Sequence, residues 1–215
     1  MVKYQLSSLF FGWYKIKSYL RFLLRSTNEH GVHSPFVFDL LTKCFYKKTD
    51  KDLIKHLDLF KKTPVNIGFI SRKQLLLLMN LVRYKKFQKI LQIGTPLGAE
   101  NSCIAMASPD ASITTLEDNF SDILSKTGKN YQYDLICFNN FFSKNHLLQY
   151  FYQAIASIHN ETVFVVKNIH ANPDCWSAWE EMKSAPRVKV TIDTFYCGLV
   201  FFRKEQEKEH FTIRI

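Results

Sequence analysis

The run Lys89-Ile90-Leu91-Gln92-Ile93-Gly94-Thr95-Pro96-Leu97-Gly98 places two glycines just beyond a short apolar segment, and Glu117 follows on the next such segment. A glycine at a strand end lets the backbone turn and come close to a ligand that a Cβ would push away. A carboxylate about twenty residues further on is where a ribose diol is held in parallel α/β proteins. Gln92, Gly94, Thr95, Gly98 and Glu117 are therefore candidate binding residues for a nucleotide-like ligand. The same spacing also fits a βαβ unit whose glycines serve only close packing. A second group lies near the end of a later apolar segment, in Lys167-Asn168-Ile169-His170. An imidazole there is the best-placed proton acceptor in the chain, although a hydrogen-bonded loop histidine has the same surroundings in sequence. Lys167 is suited to an anionic substrate, to Glu117 or to another acid. His146 carries less weight. His30 and His33 invite a metal reading, but no Cys, Asp or Glu cluster completes a ligand set around them.

The chain that positions these groups has 215 residues, nearly half of them hydrophobic, which is enough for one α/β core and an appendage. Five scattered cysteines (Cys44, Cys103, Cys137, Cys175 and Cys197) form no C-x-x-C pair. They are expected as reduced thiols in a cytoplasmic protein. Charges interrupt the first apolar residues, so no cleavable signal is expected, and no apolar run has the length of a membrane span. The net charge is +10, and residues 1–62 hold twelve Lys and Arg against five Asp and Glu. Such a bias attracts nucleic acid or an anionic membrane, or it is a solvated helix face.

Residues 3–25 carry Lys3, Lys15, Lys17, Arg21 and Arg25 and no acid. Leu6, Leu9, Phe10, Trp13, Ile16, Leu20, Leu23 and Leu24 recur at three- and four-residue steps between them, which predicts one basic amphipathic helix. Phe11, Tyr14, Tyr19 and Phe22 widen the stripe, which can pack on its own domain, join two copies of the chain, or lie in a membrane interface. Gly31 then breaks the chain, Ser34 can cap, and Pro35 suits a first helical position. Helices are expected over 50–61 and from a cap at Ser71 onward. From Lys89 strands and helices alternate: strand 90–93, helix 99–107, strand 113–117, a short helix near 119–126, strand 133–138, helix 146–158, strand 162–166 and a helix holding Trp176, Trp179 and Met182. This pattern predicts a doubly wound, mostly parallel sheet. Segments 188–194 and 199–203 are too close for a parallel crossover and predict an antiparallel hairpin. Two domains are expected, a helical arm over 1–64 and an α/β domain over 65–215.

A parallel sheet closed by an antiparallel hairpin resembles the class I S-adenosylmethionine-dependent methyltransferase fold. Three segments make the resemblance more specific: His30-Gly31-Val32-His33-Ser34-Pro35-Phe36-Val37-Phe38-Asp39, the loop from Ile93 to Gly98, and Val190-Thr191-Ile192-Asp193 continuing through Gly198-Leu199-Val200-Phe201-Phe202-Arg203-Lys204-Glu205-Gln206. They are similar to a family of bacterial methyltransferases with a helical N-terminal arm. The resemblance covers nearly the whole chain and implies S-adenosylmethionine as cofactor, held by Gln92, Gly94, Thr95, Gly98, Glu117 and Asn139. It also exposes departures. Gln92 stands where the family has an acid. Only about fifteen residues separate Glu117 from Tyr133, too few for the usual helix, strand and helix, so one edge strand is expected to be missing. Asn139-Asn140-Phe141-Phe142 replaces Asp-Gly-Asn-His, and Lys167-Asn168-Ile169-His170 replaces Asp-Asp-Ile-His. In similar metal-dependent O-methyltransferases, carboxylates at these strand ends hold a divalent cation. Neutral amides and an ammonium do not suit Mg²⁺, and Lys167 can fill the place such a metal has.

Three functions are compatible with these residues. The first is metal-independent methyl transfer to an unknown small-molecule acceptor, with Lys167 and His170 as catalytic candidates. The second is a non-catalytic binding or assembly module of the same fold. The third, resting on charge alone, is a nucleic-acid-binding protein or RNA methyltransferase. A homodimer through the N-terminal helices is the expected assembly.

Overall fold

In the computed structural model seven strands form one sheet in the order β2-β1-β3-β4-β6-β5-β7. The structure describes residues 2–49, 51, 54–55, 72–94, 98–116, 131–139, 141 and 143–215, with residues 2–11 and 99 described by backbone alone. The strands are β1 (Lys89–Ile93), β2 (Ser112–Leu116), β3 (Tyr133–Phe138), β4 (Ile158–Lys167), β5 (Val190–Asp193), β6 (Cys197–Phe201) and β7 (Glu209–Thr212). β1 pairs in parallel with both β2 and β3, and β3 pairs in parallel with β4. β6 alone runs the other way, between β4 and β5. The mostly parallel sheet ending in a hairpin is thus as the sequence predicts. Among the described residues β2 is an edge of the sheet; the interval from which a strand is expected to be missing, and the short helix expected near 119–126, lie outside them.

The sequence does not announce β7. It follows the charged stretch Glu205-Gln206-Glu207-Lys208, which reads as a solvated tail, yet it pairs in parallel with β5 from Val190↔Glu209 to Asp193↔Thr212. Thr27, just past the first helix, reinforces that edge: its N–H donates to the Thr212 carbonyl at 2.9 Å, and its own carbonyl accepts from the Arg214 N–H at 3.0 Å.

Alternation along the strands sorts the core into two layers. Ile90, Leu135, Val163, Val165, Ile192, Leu199 and Phe201 face α2 (Pro35–Leu40) and α3 (Arg72–Lys85), whose Val37, Leu40, Leu78 and Leu81 complete that layer. Leu91, Ile136, Phe138, Phe164, Val166 and Val200 face α5 (Lys144–Ala154) and α6 (Pro173–Ser184), through Leu147, Phe151, Trp179 and Met182. Helices on both faces explain why the central strands are apolar almost throughout. α2 thus shares one core with the sheet. Pro35 occupies its first turn, and Ser34 sits at the cap position without a side-chain cap bond. Residues 51, 54 and 55 are helical; the rest of the helix expected over 50–61, and the cap expected at Ser71, lie outside the described residues.

The first helix, α1 (Val2–Arg25), forms as its periodicity predicts but packs through a different face. Trp13, Ile16, Leu20 and Leu24 point outward, Trp13 being 73% and Leu24 89% exposed. The anchor is Phe22, which is 5% exposed and meets Phe195 with ring centroids 5.5 Å apart. All five cysteines are free and buried. Burial pushes the Cys44 thiol up to about 12 and the Cys175 thiol up to about 11.

Gly198 on β6 faces α6, where an added Cβ would fall 2.4 Å from Cζ3 of Trp179. That indole is 1% exposed and has no room to retreat. Gly198→Ala is expected to lower stability by about 1–3 kcal/mol, the usual range for overpacking. A urea titration reads this as a lower midpoint with an unchanged slope.

Candidate functional site

The carboxyl ends of β1 and β3 meet in a buried polar cluster on the α3 side of the sheet. Strand alternation directs Gln92 and Asn139 to this side, where they are 0% and 2% exposed. The Asn139 Nδ2 amide donates to Gln92 Oε1 at 2.8 Å. That bond leaves Gln92 Nε2 and Asn139 Oδ1 buried without a partner. Orphaned groups of this kind are rare in folded proteins and point to a ligand or an ordered water.

Gly94 makes the turn above this pair. Its φ is +80°, and its N–H donates to the Leu116 carbonyl at 2.8 Å. A Cβ there would lie 2.5 Å from the Asn139 carbonyl oxygen and 3.4 Å from the Phe141 ring. Backbone sign and space both demand glycine here. Phe141 itself leans on Tyr150, with centroids 5.1 Å apart, so an aromatic ring walls one side of the turn. Gly98 differs: it begins α4 (Gly98–Ala107), is exposed, and a Cβ on it would meet nothing within 4 Å. Thr95 and Glu117 lie outside the described residues.

Lys167 ends β4 on this same side, following Val163 and Val165 in alternation. Its ammonium donates to Oε2 of Glu100, a residue of the first turn of α4. Lys167 is 9% and Glu100 0% exposed. They border a cavity of about 20 Å³ walled by Leu75, Leu78, Val165 and Leu199. Glu100 Oε1 and Asn101 Oδ1 add two more unpartnered buried oxygens. The acid that Lys167 meets is thus Glu100, which sequence reading did not single out. The available signal was an acid in the first turn of a helix whose other residues are small or apolar.

His170 lies on the opposite side of the sheet. The chain turns at Asn168, whose φ is +58° and whose N–H donates to the Tyr196 carbonyl at 3.1 Å. The His170 ring then sits between Trp176 and Phe195, with centroids 4.6 and 4.9 Å away and nearly parallel planes. Its Nε2 is 2.8 Å from Asp193 Oδ2, and its Nδ1 is buried without a partner. Asp193 also accepts the Phe195 N–H at 2.7 Å and so fixes the hairpin that carries the lower ring. The structure brings Gln92, Gly94, Asn139 and Lys167 to one side and sends His170 to the other, so Lys167 and His170 do not converge. His146, His30 and His33 are exposed, and no cluster of His, Cys, Asp and Glu among the described residues has a metal-binding arrangement.

No family model and no curated protein matches the sequence. Solved structures do match. The O-methyltransferase TomG from Streptomyces achromogenes, in complex with SAM, aligns with a TM-score of 0.51 at 18% identity, over 78% of this chain and 95% of its own. The SAH-bound methyltransferase PaMTH1 from Podospora anserina gives 0.52 at 16% identity, over 73% and 89%. An O-methyltransferase from Bacillus cereus in complex with SAH gives 0.50 at 18% identity, over 77% and 95%. The chain has the class I methyltransferase fold.

Within that fold, the Gly94 turn and the orphaned amides of Gln92 and Asn139 fit a cofactor that offers both donors and acceptors. The neighbouring donor set does not fit a divalent cation. Asn139 and Asn168 bring neutral side chains, and the Lys167 ammonium at the end of β4 is bound to Glu100.

Removing one member of the Lys167–Glu100 pair leaves a buried charge uncompensated, a change that costs about 3–5 kcal/mol. Lys167→Met should therefore lower the unfolding free energy by about that amount, whereas Lys167→Met combined with Glu100→Gln should recover most of it. Urea unfolding of both singles and the double closes the cycle. Additive losses would refute the pairing.

Proposed function

We propose that this protein is an S-adenosylmethionine-dependent methyltransferase that acts on a small-molecule acceptor without a divalent cation. The observation that carries this reading is the Gly94 turn standing over two unpartnered buried amide groups, Gln92 Nε2 and Asn139 Oδ1. When bound, the cofactor supplies an electrophilic methyl on a sulfonium. Gln92, Gly94 and Asn139 hold it in this proposal, with Thr95, Gly98 and Glu117 completing the set. Acceleration then comes chiefly from holding the acceptor in line with the methyl. His170 is the proton acceptor for a hydroxyl or amine acceptor. With Nε2–H donated to Asp193 Oδ2 at 2.8 Å, the free lone pair lies on Nδ1. β4 is two strands from β1, about 10 Å at normal strand spacing, so the acceptor bridges that interval. Lys167, engaged with Glu100, keeps the strand end closed to a metal. A homodimer through α1 belongs to the same proposal, supported by the outward stripe of Trp13, Ile16, Leu20 and Leu24. So does a cytoplasmic setting, supported by five free buried thiols; no helix among the described residues is long and apolar enough to cross a membrane.

A non-catalytic module is the second reading. The Phe141 ring lies against Gly94, and the Lys167 ammonium is already satisfied internally; both observations favour a site that has closed.

Calorimetry with S-adenosylmethionine and S-adenosylhomocysteine separates the two. Micromolar binding is expected, and Gly94→Ala or Glu117→Ala should weaken it more than tenfold, about 1.4 kcal/mol. Circular dichroism checks that each variant still folds. Absence of heat with either compound at millimolar concentration would leave only the non-catalytic reading.

A further inference from the structure

A cavity of about 340 Å³ opens between α1, α6 and β7, on the side of the sheet away from Lys167. Its size is that of a small-ligand site. α1 contributes Arg21 and Arg25, one helical turn apart on the same flank, and α6 contributes Lys183. Phe22, Trp176 and Trp179 supply apolar wall.

The charges around this cavity do not cancel. Of its two carboxylates, Glu180 accepts from Lys183 at 2.7 Å. Asp193 is committed to His170 at 2.8 Å and to the Phe195 N–H at 2.7 Å. Neither Arg21 nor Arg25 has an acidic partner among the described residues, and α1 contains no Asp or Glu from which to supply one. Thr191 Oγ1, 2.9 Å from His210 Nδ1, is likewise engaged. Partial burial, and after it the nearby Lys183 and Lys208, hold His210 below the ordinary histidine range against the opposing pull of Glu180. His170, whose Nδ1 is buried and unpartnered, forms part of the same lining.

We infer that this cavity binds a small organic anion, with a phosphate or carboxylate head between Arg21 and Arg25 and an aromatic body against the apolar wall. A guanidinium fork can take two oxygens of either head at once, which a lysine ammonium does not. The site is separate from the strand-end crevice. β5 lies four strands from β1 in the sheet, about 19 Å at normal spacing; His170 borders the cavity, but the arginine pair that holds the anion is not among the residues proposed for the methyl donor, so the inference holds whether or not that donor binds.

The probes are 1-naphthyl phosphate and 1-naphthoate, with 1-naphthalenemethanol as the uncharged control, titrated calorimetrically into the full chain at low salt without cofactor. At least one anion is expected to bind with Kd below about 1 mM, and the better of the two identifies the head group. Arg21→Ala and Arg25→Ala should each weaken it about tenfold or more, while Lys43→Ala, which removes an exposed pair with Asp39 on another part of the surface, should not. Added salt should weaken the interaction as well. Since exposed arginines seldom govern folding, unchanged circular dichroism and melting are expected for these variants. The inference is overturned if neither anion binds at about 5 mM, if the alcohol binds equally well, or if both arginine variants bind as the parent does.

Discussion

An ion pair with almost no contact with water sets the terms for this structure. Lys167 and Glu100 are 9% and 0% exposed, and the walls around them are leucine and valine side chains. Two charges removed from water gain stability only if they meet each other and their remaining hydrogen bonds are met too. Here the first condition holds and the second is incomplete, because Glu100 Oε1 has no partner. The pair therefore contributes little net stability compared with an apolar substitute. What it does contribute is position: it ties the first turn of α4 to the end of β4, across β3.

The other side of the sheet is organised by a hairpin. Asp193 accepts the Phe195 N–H and thereby holds Phe195 at a φ of +69°, a left-handed conformation unfavourable for an aromatic residue. Strain of this sort persists only where surrounding contacts over-determine it. Those contacts are the His170 ring at 4.9 Å and the Phe22 ring at 5.5 Å. α1 thus docks on a turn whose conformation it helps to hold, and that turn in turn fixes one face of the imidazole. The same end of α1 is tied down a second time just past its last residue, where Thr27 joins the edge of β7.

How much of this is legible in sequence follows from what each feature depends on. The parallel strands and the hairpin rest on strand periodicity and connection length, both local properties, and the elements emerge near where their patterns predict, although the helix expected over 146–158 ends at Ala154 and the strand expected over 162–166 already begins at Ile158. β7 escapes because its four residues, Glu209–Thr212, sit in a charged context, and an edge strand half open to water needs no apolar alternation. α1 is legible as a helix, but its packing face is not. A stripe centred on Trp13, Ile16, Leu20 and Leu24 looks like the buried one, while Phe22 and Tyr19, at its widened margin, make the contact with Phe195. Periodicity reports that a helix has a face and cannot say which neighbour will cover it. The Asp193–His170 contact joins residues 23 positions apart through two loops, and nothing in their spacing advertises it.

The separation of Lys167 from His170 shows most clearly why a site cannot be read from proximity in sequence. Three residues apart, they share a strand end and look like one constellation. Strand parity commits Lys167 to the side of Val163 and Val165, toward α3 and α4. The positive φ at Asn168 then reverses the chain, so that Ile169 and His170 join the layer of Trp179 and α6. One residue in the left-handed region thus divides the chemistry of a single strand end between two sides of the sheet. On one side lie amides and an ion pair beneath a glycine turn; on the other lies an imidazole bordering a cationic cavity. Any reaction using both must run over the carboxyl edge of β4, which makes the backbone at Asn168 as much a determinant of function as the side chains on either side of it.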